Sequence, residues 1–318
     1  MQQRQIGTSA LRVTPLCLGG NVFGWTIDEA ASFQVLDAYV DLGGNFIDTA
    51  DVYASWAPGN SGGESETIIG KWMQARGNRD KIIIATKVGS KMPFGEGLSR
   101  AWITQAVEDS LKRLQTDVID LYQSHIDDTK TPLEETLQAY QTLIQQGKVR
   151  EIGNSNVSGA RMKEALDISA RENIARYECT QPFYNVIKRE EYENDLEPVL
   201  RERNVGCIPY SSLASGFLSG KYRAGQAMPS TPRAGGVQSR YMNDAGWEVL
   251  AQMEQLAKTH SCTVAQAALA WLIHRPSITA PIASATNVAQ VKELMGALDV
   301  KLSQDSHITD TPPTAPHR

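Results

Sequence analysis

Long apolar runs are missing from this 318-residue chain: no stretch approaches the roughly 18 residues a membrane helix requires. A basic, apolar leader is missing too, because the start MQQRQIG is polar, and no secretion signal is expected. Positive charge is not in excess. Lys and Arg number 31 against 36 Asp and Glu, a net charge of -5, whereas a nucleic-acid binder usually carries a basic stripe. Cysteine is sparse and scattered. Cys17, Cys179, Cys207 and Cys262 form no CxxC pair and have no neighbouring His to complete a zinc set. Buried, reduced thiols in a cytoplasmic protein without a metal site are therefore expected.

Short apolar runs alternate with amphipathic helical stretches along the whole chain. The strand candidates are Pro15–Leu18, Asn45–Asp48, Ile82–Val88, Val118–His125, Val149–Gly153, Glu178–Phe183, Gly206–Tyr210 and Ile278–Ala283. Most are continuously apolar, the mark of strands buried on both faces. Thr26 with Glu29 has the spacing of a capping box, and Thr263 with Gln266 repeats it. Ser99 suits an N-cap, Pro132 a first helical position, and Gly43-Gly44 a helix stop. Eight strand–helix alternations of one style predict an α/β, (β/α)8 barrel over residues 1–302, with no second domain. A Gly/Pro/Ser-rich segment, about Ser215 to Asp244, reads as a long functional loop after the seventh strand. The polar 303–318 tail, with its proline-rich end ITDTPPTAPHR, is expected to be disordered.

In such a barrel the C-terminal strand ends form the working face. Those positions hold Asp48, Lys87, His125, Asn154-Ser155-Asn156, Gln181, Tyr210 and Ser284. One polar strand end can simply hold a loop, but polar groups at nearly every strand end are costly unless they meet a ligand or one another. Asp48, Tyr53, Lys87 and His125 suit a proton-donating site. A free Tyr is a weak acid at neutral pH, and an ammonium beside it is expected to draw its pKa down. Lys87 is the candidate ammonium, Asp48 the carboxylate that keeps it charged, Tyr53 the acid, and His125 a hydrogen-bonding partner for a carbonyl oxygen. A rival role for Lys87, the Schiff-base amine of a lyase, needs it neutral, which a nearby Asp48 opposes.

Several segments in order resemble the aldo-keto reductase superfamily from about Arg4 to Leu302. They are Leu18-Gly-Gly-Asn-Val-Phe-Gly24, the stretch Gly43 to Tyr53 (GGNFIDTADVY), Ile82 to Val88 (IIIATKV), Asp120 to His125 (DLYQSH), Gly153-Asn-Ser-Asn156, and Tyr210 to Lys221 (YSSLASGFLSGK). The resemblance implies a catalytic tetrad of Asp48, Tyr53, Lys87 and His125, with Tyr53 as general acid. It implies a nicotinamide dinucleotide across the barrel mouth near Gly20 and Asn21. Ser155, Asn156 and Gln181 then hold its carboxamide, and Tyr210 stacks on its ring. Ser211, Leu213, Ser215, Gly216, Leu218 and Lys221 line the pyrophosphate path, and Ser284, Thr286, Asn287, Gln290 and Glu293 surround the adenosine. At that end Thr286 stands where an Arg or Lys often meets a 2′-phosphate, and Leu294 replaces an Asn. NADP(H) is expected ahead of NAD(H). Trp25, Trp56, Phe94 and Tyr241 are candidates for the substrate wall. The expected activity is NAD(P)H-dependent interconversion of small carbonyl compounds, aldehydes or ketones, with their alcohols. The alternative is a cofactor-binding regulatory subunit like the β subunits of potassium channels.

Overall fold

The protein is described by a computed structural model over residues 2–229, 231 and 234–302. Eight parallel strands form one sheet: Cys17–Gly19, Phe46–Asp48, Ile83–Val88, Ile119–Ser124, Val149–Ser155, Tyr177–Gln181, Gly206–Cys207 and Ile282–Ala283. They neighbour one another in chain order, and the eighth lies beside the first, with Ile282 opposite Cys17. The ring closes between the seventh and eighth: Thr279 N donates to Cys207 O at 2.8 Å, and Ile282 N to Pro209 O at 2.9 Å. Helices between the strands complete the expected (β/α)8 barrel. The last two ladders are shorter than the apolar runs suggest. Pro209 and Pro281 have no N–H to donate to a ladder.

Alternation sorts the strands into two cores. Cys17, Phe46, Ala85, Leu121, Cys179, Ile208, Ala280 and Ile282 fill the barrel interior. Below them an antiparallel hairpin, Arg4–Gln5 with Arg12–Val13, adds Ile6, Leu11 and Val13 and plugs the floor. The other strand faces meet the helices, as in Ile47, Ile84 and Tyr122 against Ile69, Val107 and Leu137. Cys17, Cys179 and Cys207 are buried free thiols and Cys262 is half-buried.

Helix ends follow the sequence with two shifts. Ser99 caps helix Arg100–Leu114, and Thr263 with Gln266 forms a complete capping box on helix Val264–Ile273. Thr26 does not cap. Asp28, as strong an N-cap, lies nearer, and its carboxylate accepts from Ala31 N at 2.9 Å to start helix Glu29–Asp41. Pro132 is the N-cap of helix Leu133–Gln145, not its first turn, because its ψ of 133° is extended. The segment after the seventh strand is also not all loop: it contains a 3-10 turn, Ala214–Ser219, and a helix, Ala234–Tyr241. The 303–318 tail lies outside the described residues.

Candidate active site

Asp48 ends the second strand two residues after Phe46, so it faces inward above the apolar barrel filling. Lys87 and Gln123 lie opposite each other on the third and fourth strands, two residues above interior Ala85 and Leu121. The Lys87 ammonium is fully buried and donates three hydrogen bonds: to Asp48 Oδ2 at 2.6 Å, Thr49 O at 2.8 Å and Tyr53 Oη at 2.9 Å. The other Asp48 oxygen accepts from Gln181 Nε2 at 2.9 Å and Gln123 Nε2 at 3.2 Å. Asp48 is thus fully engaged, and it and Tyr53 fix the ammonium between them. Close packing of the first loop is built in: a Cβ on Gly20 would sit 2.9 Å from Ser65 Oγ and 3.1 Å from Asp48 O.

Burial pulls the Lys87 pKa down, but Asp48 and Tyr53 outweigh it and hold the amine above its ordinary value. The lysine is charged, which removes the nucleophile a Schiff base needs. For Tyr53 the expectation from sequence is corrected. Burial raises the phenol, Lys87 only partly offsets this, Asp48 adds to the rise, and the result is pushed up to about 12. Tyr53 therefore keeps its proton at any ordinary pH. Burial, helped by the Lys87 charge, takes His125 down to about 3, so its imidazole is neutral. The His125 ring meets Tyr53 edge-on, with centroids 5.9 Å apart, and its buried Nδ1 has no hydrogen-bond partner among the described residues.

A cavity of about 860 Å³ opens over these groups and runs across the barrel mouth. Asp48, Tyr53 and His125 line it, as do Asn21, Ser155, Asn156, Gln181 and Tyr210. Tyr210 Oη donates to Asn156 Oδ1 at 2.9 Å, and Asn156 Nδ2 to Ser155 Oγ at 3.0 Å. Ser211, Leu213, Ser215, Gly216 and Lys221 line it after the seventh strand, and Ser284, Thr286, Gln290 and Glu293 after the eighth, where Ser284 Oγ donates to Asn21 Oδ1 at 2.7 Å. Of the other candidates, Lys87 lies beneath the cavity, buried Leu218 packs in the outer core, and Gly20 N donates to Asp48 O. Asn287 caps helix Val288–Gly296, accepting from Gln290 N.

The aromatic candidates separate. Trp56 meets Tyr53 edge-on at 6.0 Å and Trp25 at 5.5 Å, while 47% of its surface stays open. Phe94 is 85% exposed on a turn between Met92 and Gly95 and is not part of the cavity wall. Tyr241 is a core residue stacked on Phe217, ring centres 6.0 Å apart. A helical register, invisible when that segment is taken as loop, turns it inward. Sequence reasoning missed Gln123, although its position two residues before His125 on one strand signals the same face. It also missed Val22, Thr26 and Ile27 along the wall, where nothing in the local sequence marks them.

The model for the Aldo/keto reductase family matches residues 15–309. The chain belongs to the aldo/keto reductase family. The chain is 33% identical to the "Uncharacterized oxidoreductase YrpG" of Bacillus subtilis (strain 168), over 96% of its own length and 93% of that protein. It is also 33% identical to proteins of Arabidopsis thaliana and Oryza sativa subsp. japonica, each named "Probable voltage-gated potassium channel subunit beta", over 94% of this chain and 92% of each. As an aldo/keto reductase it is an oxidoreductase of a family that generally takes a nicotinamide dinucleotide. The cavity suits such a molecule in volume, in its amides and hydroxyls, and in the stretch after the seventh strand. There Ser211, Ala214, Ser215 and Gly216 all have positive φ, between 50° and 97°, and such left-handed backbone forms concavities that receive anions. Among the described residues no helix is long and apolar enough to cross a membrane, and no group of three or more His, Cys, Asp or Glu could hold a metal ion.

Proposed function

We propose that this aldo/keto reductase reduces aldehydes and ketones to alcohols, reversibly, with Tyr53 as the proton donor. The observation that carries this is the continuous Asp48–Lys87–Tyr53 hydrogen-bond chain beside a neutral His125 at the cavity floor. A bound nicotinamide dinucleotide supplies the hydride. Tyr53 gives its proton to the carbonyl oxygen as negative charge develops there; an alkoxide is far more basic than a phenolate, so even a weakly acidic phenol suffices. Lys87 then stabilises the phenolate, and Asp48 holds Lys87 in place. Neutral His125 orients the carbonyl oxygen through a ring N–H. Ser155, Asn156 and Gln181 would hold the carboxamide, Tyr210 would pack on the ring, and the turn from Ser211 to Lys221 would receive the pyrophosphate. Because the imidazole is already neutral, the rate of reduction stays level through about pH 6.5, the ordinary histidine range; a limb there in kcat/KM contradicts the His125 assignment.

The substrate wall is aromatic and neutral. Trp56 packs edge-on against Tyr53 and Trp25 against Trp56, both outside the cavity lining proper, in which Val22 and Ile27 join Tyr53. Substrates with an aromatic or sugar-like apolar face fit it best. Trp56→Ala is expected to raise KM for aromatic aldehydes about tenfold while changing kcat little, as loss of about 1.4 kcal/mol of ring contact requires.

For the dinucleotide we favour NADP(H) over NAD(H), with the Ser284 and Thr286 hydroxyls, which here donate to Asn21 Oδ1 and Gln290 Oε1, turning to the phosphate at the adenosine end. Thr286 N and Oγ1 both turn to Gln290 Oε1, at 2.8 and 3.1 Å, and a Thr cannot grip a phosphate bidentately. Thr286→Arg is therefore expected to tighten NADPH about tenfold and leave NADH unchanged, measured by fluorescence quenching. An unchanged ratio moves the 2′-phosphate elsewhere. The free thiols in the barrel strands fit a reducing compartment, and we place the protein in the cytoplasm.

A second function has support from the two plant relatives: a dinucleotide-binding subunit that serves a partner. Titrating the dinucleotide and then adding a panel of aldehydes separates the two. A subunit of that kind binds without turnover; a reductase consumes the reduced dinucleotide.

A further inference from the structure

Behind the tetrad lies a second ionisable cluster that proton donation does not use. Asp51, three residues along from Asp48, is 2% exposed, and neither of its carboxyl oxygens has a hydrogen-bond partner among the described residues. Its backbone N–H donates to Lys87 O at 3.2 Å, which ties it to the lysine strand. A buried carboxylate this poor in donors is unstable; the nearby Val52 backbone N–H favours its ionised form less than burial and Glu66 disfavour it, and the neighbouring charges do not rescue it. Glu66, on helix Glu64–Arg76, is fully buried and repels it. Arg113, on helix Arg100–Leu114, attracts it, but the guanidinium Nε already pairs with Glu66 Oε2 at 2.6 Å. Lys87 on the third strand attracts it weakly and is itself paired with Asp48. Tyr122 on the fourth strand and Tyr140 on helix Leu133–Gln145 also feel its field as neutral phenols. Two carboxyls thus share one guanidinium, and Glu66 has taken it.

We propose that Asp51 carries a proton in the working protein and acts as a positioning residue behind Lys87, and that loss of this proton at alkaline pH lowers carbonyl reduction. While protonated, it leaves Asp48 as the one carboxylate in contact with the lysine. Once ionised, it places a second anion near Lys87, draws the ammonium field away from Tyr53 and makes the phenol a poorer donor. The direction of its titration agrees: burial first, then Glu66, push the Asp51 carboxyl up to about 8. Asp51 does not line the cavity, so it acts only through Lys87.

The effect on rate rests on the proposed reductase activity; the proton itself does not, and the experiment reads both. Asp51→Asn mimics the protonated acid in shape and charge. Between about pH 4 and 8 folded Asp51 keeps a proton that the unfolded chain releases, so its contribution to stability falls as pH rises across that window. The melting temperature of Asp51→Asn minus that of wild type is therefore expected to grow from about pH 4 to about pH 8 and level off above. In infrared difference spectra, wild type shows a protonated-carboxyl band that titrates away near about pH 8 and is missing from Asp51→Asn. In reduction assays wild type declines with an inflection near that pH, and Asp51→Asn removes the inflection. Glu66→Gln frees Arg113 for Asp51 and should move the band's titration to lower pH. A melting difference independent of pH, or no titrating band, overturns the protonated Asp51. The band with an unaltered rate profile in Asp51→Asn overturns its link to Lys87. Absence of turnover in both proteins, with the band and melting trend present, rejects the reductase activity and leaves the proton in place.

Discussion

Replacing Tyr53 by Phe should lower carbonyl reduction about 100- to 10,000-fold, the range a positioned general acid contributes, while dinucleotide affinity stays near wild type. The phenol acts only on the oxygen that becomes basic during hydride transfer, so its loss falls on kcat more than on ground-state binding. The structure gives this variant a clean geometry. Phe keeps the ring that meets Trp56, His125 and the Lys87 ammonium, the last 4.6 Å from the ring centre. Only one hydroxyl, and one of three Lys87 hydrogen bonds, is removed. Single-turnover absorbance decay with saturating reduced dinucleotide measures the effect. Wild-type decay rates in the variant mean another group donates the proton.

Lys87→Met should lower both activity and stability. It removes the charge that stabilises the Tyr53 phenolate, and it strands Asp48, 1% exposed, with only amide donors from Gln181 and Gln123. Removing one partner of a buried pair typically costs about 3–5 kcal/mol. A lower denaturation midpoint together with activity loss beyond that of Tyr53→Phe is expected. A second change, Asp48→Asn on top of Lys87→Met, should restore much of the stability and none of the activity, because it neutralises the orphaned carboxylate without replacing the cation. If the double variant is no more stable than the single, the Lys87–Asp48 pair is not what holds this part of the barrel mouth together.

The barrel was legible because its strands are short, apolar on both faces and evenly spaced, and eight such runs leave few architectures open. Tetrad positions were legible for a related reason: Asp48, Lys87 and His125 interrupt apolar strands at one end, where a polar group needs a partner. What sequence could not supply was balance. The ammonium does pull on Tyr53, as its neighbourhood suggested, but the depth of burial, which no residue pattern measures, outweighs it. Asp51 was passed over for the same reason, since a carboxylate in a loop after a strand is ordinarily solvated. Tyr241 and Phe94 failed as wall residues because aromatic type says nothing of direction. One is turned under Phe217 by a short helix, and the other is carried into solvent by a tight turn.

Solvent isotope dependence of a single turnover, with reduced dinucleotide, an aromatic aldehyde and borohydride trapping in parallel, probes proton donation by a lysine-backed phenol most directly. The expected result is stoichiometric oxidation of the dinucleotide, slower in deuterated solvent, with no adduct on Lys87. A trapped imine at Lys87, or turnover equally fast in both solvents with an isotope-sensitive hydride step, contradicts it.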